Sequence, residues 1–128
     1  GVFTFGKKER LSQRAAIERL FNEGKSFSVP PFRVFYITAP EAAAPVQILI
    51  AVPKRKYKRA VDRNKLKRLI REAYRLNKAV LTESVKGHSL HAGFVYSGEG
   101  MIPSFADIEK KMKTCLDKLA LKYTSMDV

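Results

Sequence analysis

The sequence predicts an α+β fold, in which helices pack on a small β-sheet. Apolar residues recur at helical spacing in three segments, and three other runs are rich in β-branched and aromatic residues. Glycines and prolines separate several of these segments. With 128 residues, of which 45% are hydrophobic, the chain fits a single domain (1–128) that can bury a core without disulfides.

The first element after the N-terminus is predicted to be a helix. Residues 1–11 hold two Phe and the cations Lys7, Lys8 and Arg10, and are expected to form a flexible arm whose cations either join a binding cleft or stay disordered. The helix covers about 13–23, with Ser12 as its N-cap and Gly24 as the residue that ends it. Its apolar positions recur at helical spacing and are Ala16, Ile17, Leu20 and Phe21.

Two strands, FRVFYITA (32–39) and VQILIAV (46–52), are expected to follow as an antiparallel hairpin. A shorter strand could begin at 27–29, before Pro30 and Pro31 interrupt it. Side chains alternate between the two faces of a strand. This alternation places Phe32, Val34 and Tyr36 on one face, where Phe32 and Tyr36 are expected in the core, and Arg33 and Phe35 on the other.

The second half is predicted to contain a helix from about Arg59 to Asn77, a strand over 89–97 and a final helix. Ser104, with Asp107 three residues later, is typical of a helix N-cap. One face of the last helix is predicted to enter the core and carries Phe105, Ile108, Met112, Leu116 and Leu119, with Cys115 beside them.

Positive charge is concentrated in one segment, 54–78, which holds twelve Lys and Arg against two acids. That segment carries +10 of the chain's net charge of +13. On a helical wheel, Leu66, Leu69, Ile70, Ala73 and Leu76 share one face, and the opposite arc is cationic. Such a concentration requires a polyanion, of which nucleic acid is the first candidate and an anionic membrane surface the second. A merely solvated face would mix the two signs of charge.

The segment KRAVDRNKLKRLIREAY (58–74) resembles the signature of the bacterial ribonuclease P protein component family. The pattern Arg-Leu, five residues, Ile, two residues, Leu-Phe, two residues, Gly over 10–24 agrees as well. The resemblance covers about residues 5–120. It implies an αβββαβα sandwich around a small mixed sheet, similar to domain 2 of ribosomal protein S5, with a left-handed βαβ crossover.

The resemblance also implies a function. The family's protein is the subunit of a ribonucleoprotein endoribonuclease whose RNA, with bound Mg²⁺, removes the 5′ leader from precursor tRNA. Partners would be the catalytic RNA and precursor tRNA, with no obligate protein partner and no membrane. The implied contacts to the catalytic RNA are Arg63, Asn64, Lys65, Lys67, Arg68 and Arg71. The implied leader contacts are Ile17, Phe21, Arg33, Phe35, Lys54, Arg55, Lys58 and Arg59.

Two positions depart from the family pattern. Lys65 stands where Arg is commonest, which removes a bidentate phosphate contact. Ile17 stands where an aromatic is common, so a base cannot stack there. The aromatics that remain as candidate stacking platforms are Phe21 and Phe35.

Other chemistry has little support in the sequence. His88 and His91 lie near no Cys or acidic cluster, so no protein-held metal is expected. The single Cys favours a reducing compartment, here the cytoplasm. Two alternatives stay open: another small RNA-binding protein of similar fold, and a protein-only nuclease or DNA-binding domain.

Overall fold

In the computed structural model, which describes residues 6–40, 44–86 and 88–125, the elements follow the predicted order. The strands are β1 (Lys25–Val29), β2 (Phe32–Ala39), β3 (Val46–Ala51) and β4 (Ser89–Tyr96). The helices are α1 (Arg14–Glu23), α2 (Ala60–Asn77), the short α3 (Ala79–Thr82) and α4 (Phe105–Ser125), with a 3₁₀ turn at Lys7–Glu9. The α+β class and the αβββαβα order are confirmed, with α3 following α2 as one extra turn.

The four strands form one mixed sheet in the order β1-β2-β4-β3. β4 is antiparallel to β2 and parallel to β3. The expected hairpin between 32–39 and 46–52 is therefore wrong, because β4 lies between these two strands. Local sequence patterns identify strands, but they do not show which strand pairs with which when a helix separates the two partners in the chain. The hairpin partner of β2 is instead β1, joined to it through the turn at Pro30 and Pro31.

One face of the sheet, which we call the inner face, is covered by α2 and α4. Phe32, Val34 and Tyr36 are buried in this core, as predicted from the alternation along β2. Phe94 of β4 lies with its ring centroid 6.1 Å from that of Tyr74 on α2. Both helices pack on the same side, and of the described helices α1 covers the opposite, outer face.

The packing face of α2 differs from the wheel at one end. Leu66, Ile70 and Ala73 are buried as predicted, but Leu76 is 37% exposed and Tyr74 is fully buried in its place. The Tyr74 ring packs against Phe94 of the sheet, which draws this position of the helix into the core.

The ends of α1 are formed differently from the expectation. The N-cap position is taken by Gln13, and Ser12 does not cap the helix; no side-chain cap bond is made. Gly24 does end the helix, but with a φ of −73° rather than in the left-handed region. A Cβ on Gly24 would lie 2.9 Å from the carbonyl oxygen of Tyr36, so glycine is needed here for close approach.

Residues 6–11, expected to belong to a flexible arm, make defined contacts, whereas 1–5 lie outside the described residues. The amide of Leu11 donates to the carbonyl of Ile48 at 2.8 Å, and Arg10 forms a parallel bridge with Ile48. The carboxylate of Glu9 pairs with the buried Lys78 at the end of α2. This segment therefore covers the free edge of β3.

The last helix is formed as predicted. The amide of Asp107 donates to Ser104 Oγ at 3.2 Å, which is the expected N-cap bond. Ile108, Met112 and Leu116 are buried against the inner face. Among the described helices, α2 and α4 included, none is long and apolar enough to cross a membrane.

Candidate nucleic-acid interface

The outer face of the sheet presents three rows of side chains across β2, β4 and β3. The strand register defines them, because residues paired side by side project to the same face. Row one is Arg33, Val95 and Ala51; row two is Phe35, Gly93 and Leu49; row three is Ile37, His91 and Gln47.

Helix α1 crosses this face and forms an aromatic pair with row two. The ring centroids of Phe21 and Phe35 are 4.8 Å apart in an edge-to-face arrangement, and Phe21 is 36% exposed. The guanidinium carbon of Arg33 lies 5.4 Å from the Phe35 ring centroid. Ile17, one turn before Phe21, is half-buried. An exposed ring beside an exposed cation suits single-stranded nucleic acid, because a base can stack on the ring and the cation can neutralise a phosphate.

Gly93 sets how closely α1 approaches the sheet. A Cβ there would lie 3.1 Å from a methyl carbon of Leu20 and 3.5 Å from the Phe21 ring. A side chain at this position would therefore press on Leu20 and reach the Phe21 ring. Sequence reasoning missed Gly93, although a glycine inside a strand is itself a signal of close approach.

The segment between β3 and α2 carries four exposed cations, Lys54, Arg55, Lys58 and Arg59, and we call it the basic lip. Buried Tyr57 fixes it, with its ring centroid 6.1 Å from that of Tyr96. The lip begins three residues after Ala51 of row one, so it lies at the same end of the outer face as Arg33.

The predicted catalytic-RNA contacts lie together on α2, and we call them the cationic stripe. Asn64, Lys65 and Arg68 are exposed, and the other members are half-buried. The stripe follows the basic lip in sequence after Ala60, Val61 and Asp62. Its members are Arg63, Asn64, Lys65, Lys67, Arg68 and Arg71.

Arg63 differs from the other stripe members because its guanidinium is hydrogen-bonded to the protein's own backbone. One of its terminal nitrogens donates to the carbonyl oxygens of Tyr57 at 2.9 Å and Lys58 at 2.8 Å. The guanidinium thus holds the basic lip against the first turn of α2. Spacing along the helix cannot reveal this role, because the acceptors are backbone atoms of the preceding turn.

Arg75 lies beyond the stripe and is partly neutralised. It donates to Glu72 through Nε at 3.0 Å and pairs with it through Nη2. This hydrogen bond lowers the pKa of the Glu72 carboxyl and raises the pKa of Arg75. The uncompensated part of the cationic face therefore ends at Arg71.

His91 in row three is buried. Burial lowers its pKa, and the charge of Arg19 adds to this effect. Its Nε2 lies 3.1 Å from the side-chain oxygen of Gln47. The other histidine, His88, is exposed. Within 6–40, 44–86 and 88–125, no three His, Cys, Asp or Glu side chains are grouped so that they could hold a metal ion. Cys115 is buried, which raises its pKa to about 12.

Comparison with known proteins agrees with this geometry. The ribonuclease P family model matches residues 5–120. A ribonuclease P protein component from Porphyromonas gingivalis is 42% identical over 123 residues, covering 93% of this chain and 88% of that protein. One from Chlorobaculum tepidum is 35% identical, covering 83% of this chain and 76% of that protein.

Solved structures are similar as well. The RNase P protein from Thermotoga maritima superposes with a TM-score of 0.68 at 27% identity, covering 86% of this chain and 96% of that one. The family match, the curated relatives and this fold agree with one another. The chain therefore belongs to the ribonuclease P protein family.

Proposed function

We propose that this chain, as the protein component of ribonuclease P, grips the catalytic RNA with the cationic stripe and the 5′ leader of precursor tRNA with the outer face. The complex then removes the leader endonucleolytically to give the mature tRNA 5′ end. The observation that carries the proposal is the position of the basic lip. It joins the stripe in sequence and lies at the same end of the outer face as Arg33.

The proposed leader contacts divide into two kinds. Phe21 and Phe35 offer stacking surfaces that tolerate any base, since every base has a π-face. The exposed cations of row one and of the basic lip neutralise phosphates, so affinity should fall steeply with salt. Those cations are Arg33, Lys54, Arg55, Lys58 and Arg59, and Ile17 supplies an apolar wall.

The stripe is proposed to bind the catalytic RNA through its backbone. Arginine forks bind phosphate oxygens bidentately, and Asn64 can both donate to and accept from a sugar hydroxyl. Mg²⁺, held mainly by the RNA, supplies the Lewis-acid chemistry of hydrolysis. The protein's own residues bind and orient the two RNAs, and we place this work in the cytoplasm.

Reconstitution tests the proposal. The protein is combined with a bacterial ribonuclease P RNA and precursor tRNA at a Mg²⁺ concentration where the RNA alone cleaves slowly. We expect the protein to restore cleavage, because its cations replace part of the charge screening that Mg²⁺ provides. Equal cleavage with and without protein would overturn the proposal, and cleavage by protein alone would favour a protein nuclease.

A charge-matched pair of variants locates the effect. Lys65→Ala with Arg68→Ala removes two exposed charges from the stripe, and Lys110→Ala with Lys113→Ala removes two exposed charges from α4. Only the first pair should raise the protein concentration needed for half-maximal cleavage. Equal effects would mean that overall charge, rather than the stripe, assembles the complex.

A further inference from the structure

A cavity of about 350 Å³ lies at the row-three end of the outer face, between the 3₁₀ turn, the start of α1 and the end of β2. This volume is near the lower end of small-ligand sites, which span about 300–1,000 Å³. None of the polar residues that line the cavity belongs to the stripe, the lip or the aromatic pair. That lining consists of Lys7, Arg10, Ser12, Gln13, Gln47 and His91.

The floor of the cavity is polar, uncharged and held in place. Gln47 Nε2 donates to the carbonyl of Lys8 at 3.0 Å, which leaves its Oε1 to accept from His91 Nε2–H at 3.1 Å. His91 is only 8% exposed, and its Nδ1 has no hydrogen-bond partner among the described residues. A buried polar group with unused capacity requires an explanation in a folded protein.

The rim of the cavity is positive. Lys7 and Arg10 line it, and none of the described residues that line the cavity is Asp or Glu. The N-terminus of α1 opens onto the same space. Its first turn contains no acidic residue, and Gln13 makes no side-chain cap bond. Unused amides at a helix start attract anions.

A neutral hydrogen-bonding floor below a cationic rim matches the chemistry of one nucleotide. The rim suits a phosphate, and the amide of Gln47 retains donor and acceptor capacity for the edge of a base. A bare inorganic anion would leave the floor unused, and an acidic peptide would not need it.

The position of the cavity is in line with the proposed leader path. Successive rows lie about 6–7 Å apart, since they are two residues apart along each strand. This spacing is comparable to that of successive phosphates in an extended single strand. A strand that crosses row one at Arg33 and row two at Phe35 therefore reaches row three at the cavity.

We propose that this cavity is a subsite for one leader nucleotide that lies further from the cleavage site than the nucleotide at Phe21 and Phe35. The inference rests on the proposed leader-binding function. Lys7 and Arg10 contact the phosphate, and Gln47, oriented by His91, contacts the base. Row one, beside the lip and stripe, receives the nucleotides nearer the cleavage site.

Neighbouring lysines in the 3₁₀ turn allow a matched test. Lys7 lines the cavity and Lys8 does not, yet both are exposed and carry the same charge. Lys7→Ala, Lys8→Ala and wild-type protein are each assembled with ribonuclease P RNA. Their affinities are measured for precursor tRNAs whose leaders are trimmed one nucleotide at a time from the 5′ end, and for mature tRNA.

We expect Lys7→Ala to weaken binding of the long-leader substrate about fivefold and to lower the salt slope by about one. The loss should vanish once trimming removes the far nucleotide, at the length where the wild type itself loses affinity. Lys8→Ala should follow the wild type throughout. Gln47→Leu should remove any preference of the wild type for the base at that position.

Two results separate the possible failures. If the wild type responds to the far nucleotides but Lys7→Ala matches Lys8→Ala, the subsite is overturned and the leader cleft stands. If the wild type binds leader-bearing and mature tRNA equally, leader binding itself is overturned, and the subsite with it.

Discussion

Glu9 and Lys78, 69 positions apart in the chain, form an ion pair that is almost shielded from solvent. Their side chains are 20% and 8% exposed. The pair ties the 3₁₀ turn, on the rim of the cavity, to the C-terminal end of α2, which carries the stripe. Tyr74 lies beneath it, where burial raises the pKa of the phenol and the charge of Glu9 adds to the effect.

Breaking this pair should destabilise the whole domain. Glu9→Gln removes the carboxylate that pairs with the nearly buried Lys78 ammonium, which costs on the order of 3 kcal/mol. Urea denaturation measures the loss. Glu99→Gln is the control, because it breaks an ion pair with Lys56 whose carboxylate is 71% exposed, and it should cost no more than about 1 kcal/mol. Equal losses would contradict a special role for burial.

Removing the aromatic platform should affect only substrates that carry a leader. Phe35→Ala deletes the ring that meets Phe21, so precursor tRNA should bind more weakly by about 1–3 kcal/mol, the contribution of one stacked base. Mature tRNA should bind as before. Phe27→Ala is the control, because Phe27 is also half-buried on the sheet but packs toward the core. Loss of mature tRNA affinity with Phe35→Ala would show a structural defect instead.

The stripe should divide into residues that only bind RNA and one that also shapes the protein. Arg68→Ala should lower the salt slope of catalytic-RNA binding by about one without changing the urea midpoint. Arg63→Ala should lower both, because it also frees the carbonyls of Tyr57 and Lys58. Titrations at several salt concentrations measure the slope. An unchanged midpoint for Arg63→Ala would show that the bonds to the lip contribute nothing to stability.

Acidification should weaken the fold through His91. Its pKa is lowered in the folded state by burial and by Arg19, so the unfolded chain binds the proton more readily. The stabilisation is complete above about pH 6.5, the unfolded value, and is lost as the pH falls through the folded pKa. The described groups around the imidazole are Arg19 on α1, Gln47 on β3 and the cations of the cavity, and none of them is a carboxylate.

Urea midpoints across this pH range test the expectation. His91→Gln should flatten the loss of stability on acidification, whereas His88→Gln, at an exposed position, should leave it unchanged. Identical pH profiles for wild type and His91→Gln would show that other groups cause the acid sensitivity.

Local sequence patterns predicted the helices and strands well, because each pattern depends on which face of that one helix or strand is buried. Strand and helix boundaries agree to within about two residues, and Phe32 and Tyr36 are in the core as expected. The partner of β3 could not be predicted in this way. Whether 46–52 pairs with the strand before it or with 89–97 depends on how α2 packs, which no short window contains.

The candidate site was predicted unevenly for a similar reason. The charges of the stripe are visible in the sequence because helical spacing groups them on one face. The close approach of α1 over Gly93, the buried Tyr57 under the lip and the pairing of Gln47 with His91 each join segments far apart in the chain. Such features depend on the completed sheet rather than on any single element.

The central place of β4 has a consequence for the order of synthesis. On a ribosome, β2 and β3 emerge long before β4, and neither touches the other in the finished sheet. Every row of the outer face has its middle residue on β4. A nascent chain that stops before Ser89 therefore carries the basic lip and the stripe but lacks the central strand of the outer face. The surface proposed for the leader is completed only when this late strand inserts between β2 and β3.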